Sequence, residues 1–281
     1  MRAAVIEELV VPVDGSARSL AALPVAAAVA RRVGGRLTVV RVCPPRIDCG
    51  PALRWLDDVA APWGARTVAV VADHPVDALL ELAEDAATSV LCMTSHGRSA
   101  TAELALGSVS AEVVRRSSSP VLLVGRRAVA PASFADLEVC VHGPPQRVVP
   151  TASRWAAALG ATAWLVAVQP PEEPLSQDSP AGAELAAVEA ALGHDGIRTE
   201  VRLLHADDVA AELVVHAAAV GAGLLIAATE SRLGIAGLVL GSVAMQLVAR
   251  ARQPVLLVGP RCRAAGSSGE AGHKVPAVAV A

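Results

Sequence analysis

Gly107-Ser108-Val109 with Pro120-Val121-Leu122-Leu123-Val124-Gly125, and again Gly241-Ser242-Val243 with Pro254-Val255-Leu256-Leu257-Val258-Gly259, are the stretches that decide how this chain folds. Both anchors recur after a shift of 134 positions, and from Leu104 to Gly125 roughly 13 of 22 residues are identical to Leu238 to Gly259 without a gap. Solenoid repeats have periods of about 20–50 residues, so a period this long means two copies of a whole domain. The differences between the copies then become the guide to function.

Outward from the anchors, short apolar runs alternate with helical stretches. In the first copy strands are predicted at 9–13, 36–42, 66–72, 89–93 and 121–124, with helices over 17–33, 53–60, 76–87 and 108–116. The second copy repeats the order, with strands at 137–141, 164–168, 198–204, 224–228 and 255–258 and helices over 147–159, 182–192, 209–220 and 242–250. Strands joined through helices imply right-handed crossovers and a parallel sheet covered on both faces, an α/β fold with five strands per copy. The expected units are 1–129 and 135–260, joined by a linker at 130–136, with a poorly ordered Gly/Ser/Ala-rich tail at 261–281. The final strand of each copy is apolar on both faces although it ends its unit, so as an edge it needs cover. Val121–Val124 and Val255–Val258 are therefore expected to pair with each other, as an internal pseudo-dimer, or with another chain as a homodimer; interior strands within each unit are the alternative.

Composition narrows the function. Of 281 residues 53% are hydrophobic, there is no Tyr, Phe134 is the sole Phe, and the net charge is −3. An aliphatic chain without a basic surplus lacks both the stacking platforms and the phosphate footprint of a nucleic-acid binder. Arg31/Arg32, Arg115/Arg116 and Arg126/Arg127 read as solvated faces or helix ends. Leu213 to Thr229 is almost continuously apolar, but the matching Leu79 to Ser95 holds Glu81, Glu84 and Asp85, so both read as a helix running into a strand and no membrane partner is expected. Met1 to Val10 carries Glu7 and Glu8 and reads without a leader; five scattered cysteines without a CxxC fit a reducing, cytoplasmic setting. Cys92 and Cys140 read as core residues, whereas Cys43 and Cys49 fall in a Pro/Gly loop with the expectation of exposure.

In open α/β sheets ligands bind at the carboxyl ends of strands where connections diverge. Three such ends stand out in the first copy: Pro12-Val13-Asp14-Gly15-Ser16, Met93-Thr94-Ser95-His96-Gly97, and Gly107-Ser108-Val109-Ser110. A carboxylate can accept from an adenine amine or ribose hydroxyl, and glycines ahead of a helix let backbone amides approach an anion. Each segment alone is equally a turn or helix cap. Other patterns fail in context. Gly221-Ala222-Gly223 precedes a strand instead of opening a helix, the only lysine is Lys274, the neighbours Ser95 and His96 are no triad, and Asp73 with His74 is no metal site.

Together, the Asp after the first strand, the run Thr94, two residues, Gly97, nine residues, Gly107, Ser108, and the PVLLV ending resemble the universal stress protein family in tandem form, over about 5–127 and 135–260. The resemblance implies a five-stranded, Rossmann-like, adenine nucleotide alpha hydrolase-like sheet in each half. It further implies an ATP-binding regulatory module of the stress response, with or without Mg²⁺ and with an unidentified regulatory protein partner. By the same resemblance Pro12, Val13, Asp14 and Val42 line the base and ribose pocket, while Met93, Thr94, Gly97, Gly107, Ser108, Val109 and Ser110 belong to the phosphate side. Thr94 departs from the family's glycine, and its Cβ would crowd the ligand or meet strain if a positive φ were required. The second copy departs further, with His142, Ala228, Ser231 and Ala244 at the positions of Asp14, Thr94, Gly97 and Ser110, which predicts a degenerate site. His142 reads as a turn or buried histidine, or as a new pH-sensitive group. A scaffold that binds no nucleotide and a slow ATPase are the rival readings; near the phosphate loop only Glu103 offers a carboxylate for a metal.

Overall fold

The computed structural model describes residues 6–46, 48–84, 88–95, 106–173, 176, 178–229 and 241–262. The first half runs β1 (Glu8–Pro12), α1 (Ala22–Val33), β2 (Arg36–Cys43), α2 (Gly50–Ala60), β3 (Arg66–Val71), α3 (Pro75–Glu84), β4 (Ser89–Thr94), α4 (Ser108–Arg116) and β5 (Val121–Val124). The second runs β6 (Asp136–Cys140), α5 (Val149–Leu159), β7 (Thr162–Gln169), α6 (Pro180–His194), β8 (Thr199–His205), α7 (Val209–Ala219), β9 (Leu224–Ala228), α8 (Ser242–Arg250) and β10 (Val255–Val258). Every element expected from the apolar periodicity is present. The apolar run after Leu213 divides into α7 and β9, and among the described residues no helix is long and apolar enough to cross a membrane. The tail from 263 onward lies outside the described residues, as do Gly97, Glu103 and Ser231.

All ten strands form one sheet in the order β3-β2-β1-β4-β5-β10-β9-β6-β7-β8. Within each half neighbours are parallel, while β5 and β10 are antiparallel, Val255 opposite Leu123 and Leu257 opposite Val121. The two terminal strands thus cover each other's edge inside a single chain, and all eight of their residues are buried. One apolar layer joins α1, α2, α5 and α6 to one face of the sheet, and the other joins α3, α4, α7 and α8 to the opposite face; both layers run across the seam.

The glycine ending each PVLLVG motif has a steric cause. A Cβ on Gly125 would stand 1.9 Å from the carbonyl oxygen of Val248 in α8, and one on Gly259 would stand 2.2 Å from that of Val114 in α4. Each half's last strand therefore ends against the other half's last helix, at a separation only a residue without a side chain permits. The contact is reciprocal, as a two-fold interface requires.

Layer packing also buries a carboxyl–imidazole pair. Glu138, in the middle of β6 and fully buried, meets His216 Nδ1 of α7 at 2.6 Å, while its Oε1 has no hydrogen-bond partner among the described residues. The His216 ring packs edge-on to Trp164, whose Nε1 donates to Asp136 at 2.9 Å. Burial pushes the Glu138 carboxyl above its ordinary 4.5, and the hydrogen bond and charge of His216 offset only part of that shift.

Two outcomes follow from this packing. Gly125→Ala or Gly259→Ala forces a Cβ onto a backbone carbonyl and should cost about 2–3 kcal/mol in urea unfolding, whereas a neutral substitution contradicts the close approach. For Glu138 the folded state holds its proton more tightly than the unfolded chain, so its contribution is full below 4.5 and is lost as pH rises through the raised folded value. The stability of the Glu138→Gln variant relative to the parent should therefore grow as pH rises above 4.5 in denaturation series; the opposite slope contradicts the assignment.

Candidate functional site

Connections from β1 and β2 cross one face of the sheet and those from β3 and β4 the other, so the chain diverges where β1 and β4 lie side by side. A crevice at their carboxyl ends is the place where such sheets hold ligands. The equivalent divergence in the second half is between β6 and β9.

On the β1 side the ladder persists one residue beyond the strand, Val13 N donating to the Val40 carbonyl at 2.8 Å, and the chain then turns sharply. Asp14 Oδ1 accepts from Ser16 N at 2.9 Å, and Ser19 Oγ accepts from Asp14 N at 3.3 Å while donating to the Ser16 carbonyl at 2.8 Å. Gly15 takes φ +87°, and a Cβ there would come within 3.1 Å of the Arg41 guanidinium. Arg41 in turn lies 5.2 Å over the Trp55 ring of α2. The Asp14 turn is thus held from inside by Ser19 and flanked by a cation on an aromatic platform.

On the β4 side the strand ends by handing its backbone to the start of α4. Ser95 N donates to the Val124 carbonyl at 3.0 Å, Gly107 N to the Ser95 carbonyl at 2.7 Å, and Ser110 Oγ to the Thr94 carbonyl at 2.9 Å. Thr94 itself pairs with Val124 in the β ladder, and among the described residues no non-glycine residue has a positive φ. The strain expected of a side chain at that position is therefore absent. Ser108, the first residue of α4, is exposed, and Gly107 before it has no side chain with which to cap the helix.

The remaining sequence-predicted positions divide by burial. Val13 and Met93 are core residues on opposite faces of the sheet, whereas Pro12, Val42 and Val109 are half-buried. Cys43 corrects an expectation: it is buried, because as the last residue of β2 it pairs with Val71 instead of entering the loop, while Cys49 is half-buried. Cys92 and Cys140 are in the core as expected.

In the second half the same divergence is spanned by the chain's own side chains. The Arg147 guanidinium donates to the carbonyl of Thr229, which follows β9 as Ser95 follows β4. Glu184 of α6 accepts from Gly143 N at 2.8 Å, at the turn whose Gly143 matches Gly15 with φ +81°. His142, at the position of Asp14, is exposed, and Ala244 removes the hydroxyl that ties α4 to its strand in the first half. Arg41, Ser19 and Arg147 were not singled out in the sequence. A lone arginine inside an apolar strand marks Arg41 in retrospect, but nothing local marks Arg147. Among the described residues no three His, Cys, Asp or Glu side chains are grouped to hold a metal.

A ten-stranded sheet made of two 3-2-1-4-5 halves, each with its divergence between the first and fourth strands, defines a tandem, Rossmann-like α/β protein. The model of the universal stress protein family matches residues 52–125 and 142–259, more than half of the chain, and both matches end at the glycines of the seam. The chain belongs to the universal stress protein family. It is 30% identical over 201 residues to universal stress protein Rv2005c of Mycobacterium tuberculosis, covering 67% of each chain. It is 36% identical over 58 residues to universal stress protein MJ0577 of Methanocaldococcus jannaschii, a match that spans 21% of this chain and 36% of the relative. The crystal structure of a universal stress protein from Archaeoglobus fulgidus shares the fold with a TM-score of 0.65 at 18% identity, covering 91% of this chain and 98% of that one.

Proposed function

We propose that the first half, residues 1–129, binds an adenine nucleotide of the ATP type between the ends of β1 and β4, and that the second, residues 135–260, is a degenerate partner that binds none. The observation that carries this reading is the contrast between the two crevices. In the first, the Asp14 turn at the end of β1 lies across the divergence from the start of α4, whose Ser110 is tied to the end of β4. In the second, His142 stands at the position of Asp14 and Ala244 at that of Ser110, and Arg147 donates to the Thr229 carbonyl across the divergence.

The division of labour follows from the chemistry. Asp14 accepts from the base amine or a ribose hydroxyl, with Pro12, Val13 and Val42 as the surrounding wall. The first-turn amides of Ser108, Val109 and Ser110 meet phosphate oxygens, and the Ser108 hydroxyl adds a donor. Ser110 keeps that turn in register through its bond to the Thr94 carbonyl. Gly97 is assigned to the same loop from its spacing and lies outside the described residues. Binding, not turnover, is the proposed activity, and the output is a nucleotide-dependent change in what the protein contacts during stress.

Calorimetric titration with ATP, with and without Mg²⁺, tests the reading. Asp14→Ala should weaken binding by about tenfold or more, which is about 1.4 kcal/mol, while His142→Ala leaves it unchanged. Asp14→Asn, which retains an acceptor for Ser16 N–H, separates loss of the carboxylate charge from loss of the turn. Equal effects of the Asp14 and His142 substitutions, or no binding at millimolar ATP, contradict the proposal.

A further inference from the structure

A groove of about 470 Å³ opens where the end of α1, the linker after β5 and the end of α5 meet. It lies at the amino ends of β1 and β2, because α1 stops at Val33 and Arg36 N then donates to the Glu7 carbonyl at 2.7 Å. The Asp14 turn is at the other end of β1, so this groove is separate from the crevice. Its walls are fixed by the backbone. Val129 N donates to the Arg252 carbonyl at 2.9 Å and Thr162 N to the Ala135 carbonyl at 2.8 Å, which pins the linker at both ends. Between these points a Cβ on Gly223 would stand 2.1 Å from the Ser133 carbonyl, so the linker presses on the start of β9. Gly160 closes α5 with φ +60°, and a Cβ there would come within 3.1 Å of the Arg32 guanidinium.

Two adjacent cations line this groove, and no carboxylate does so among the described residues. Arg31 and Arg32, in the last turn of α1, are exposed, and neither is ion-paired among the described residues. Arg31 Nε donates to the Ala27 carbonyl at 3.3 Å, which folds that side chain back along its helix. Arg115 and Arg116, by contrast, are closed by Glu112 and Asp77. Aligning the helix-closing glycines Gly34 and Gly160 puts Ala157 and Ala158 at the positions of Arg31 and Arg32, so the charge comes from one copy alone. Ser133 Oγ accepts from Ala135 N at 3.0 Å and keeps its own proton to donate. Ala28, Pro131 and Phe134 supply an apolar part of the lining. We propose that this groove binds a small organic phosphate monoester, its dianionic head on Arg31, Arg32 and the Ser133 hydroxyl and its apolar body against Ala28, Pro131 and Phe134. Planar guanidinium forks match phosphate oxygens two at a time, and the volume falls within the range of about 300–1,000 Å³ of small-molecule sites. The arginines also offset the negative pole of α1, but that role alone would leave the removal of both visible in stability and not in ligand binding. The inference is independent of nucleotide in the crevice, and its probe carries no nucleoside.

Calorimetric titration of the full chain with phenyl phosphate at about pH 8, where a phosphate monoester is a dianion, tests the proposal. The parent should bind with a Kd below about 1 mM, and Arg31→Gln with Arg32→Gln should weaken binding by about tenfold or more. Arg126→Gln with Arg127→Gln, an arginine pair that does not line the groove, should leave it unchanged. Ala132→Trp, at an exposed linker position in the lining, keeps both charges and should weaken binding by obstructing the groove. In the parent, the amide resonances of Ser133, Phe134 and Gly160 should shift as phenyl phosphate is added. No binding at about 10 mM, equal losses in the two double arginine variants, or inorganic phosphate binding as tightly as phenyl phosphate would each overturn the proposal. So would an Arg31 and Arg32 double variant that loses stability and keeps full binding.

Discussion

The antiparallel contact between β5 and β10 is the constraint on which the rest of this structure depends. A four-residue strand of Val and Leu at the end of an α/β unit presents unpaired backbone groups and two apolar faces, and in isolation it is an aggregation site. Here each such edge closes the other, and the last helix of each half crosses the end of the other's last strand. The backbone contacts at Gly125 and Gly259 admit no side chain, which explains why the motif ends in glycine in both copies. Because both apolar layers continue across the seam, the halves share one sheet and one pair of cores.

With the scaffold shared, divergence is concentrated at the carboxyl ends of the inner strands. The first half keeps a carboxylate turn opposite a helix start. The second half keeps the helix start at Gly241-Ser242 but has His142 in place of the carboxylate, with Arg147 and Glu184 bonded to backbone groups nearby. In the proposed reading one copy binds and the other serves as the partner that completes the sheet.

Much of this was legible in the sequence. Strand and helix order followed from apolar periodicity, and the seam followed from an apolar final strand that needed cover. The Asp14 and Gly107-Ser108 positions could be placed at strand ends because the repeat fixed the register. What could not be read depended on side chains meeting from distant elements. Arg147 reaches the Thr229 carbonyl across 82 positions, and nothing near it in sequence distinguishes it from a surface arginine. Cys43 looked like a loop residue because prolines follow it, yet β2 runs one residue longer than its β-branched run and buries the thiol. Thr94 looked like an obstacle because spacing alone gives no φ, whereas the β ladder accommodates it in an ordinary conformation.

The central claim is that one chain, though built of two copies, offers one ligand crevice. A crystal structure of the protein grown with saturating ATP tests it most directly. The account predicts nucleotide density between the ends of β1 and β4, with phosphates at the start of α4, and the Arg147 to Thr229 contact intact in the other half. Density between β6 and β9, or nucleotide in neither crevice at full saturation, would contradict it.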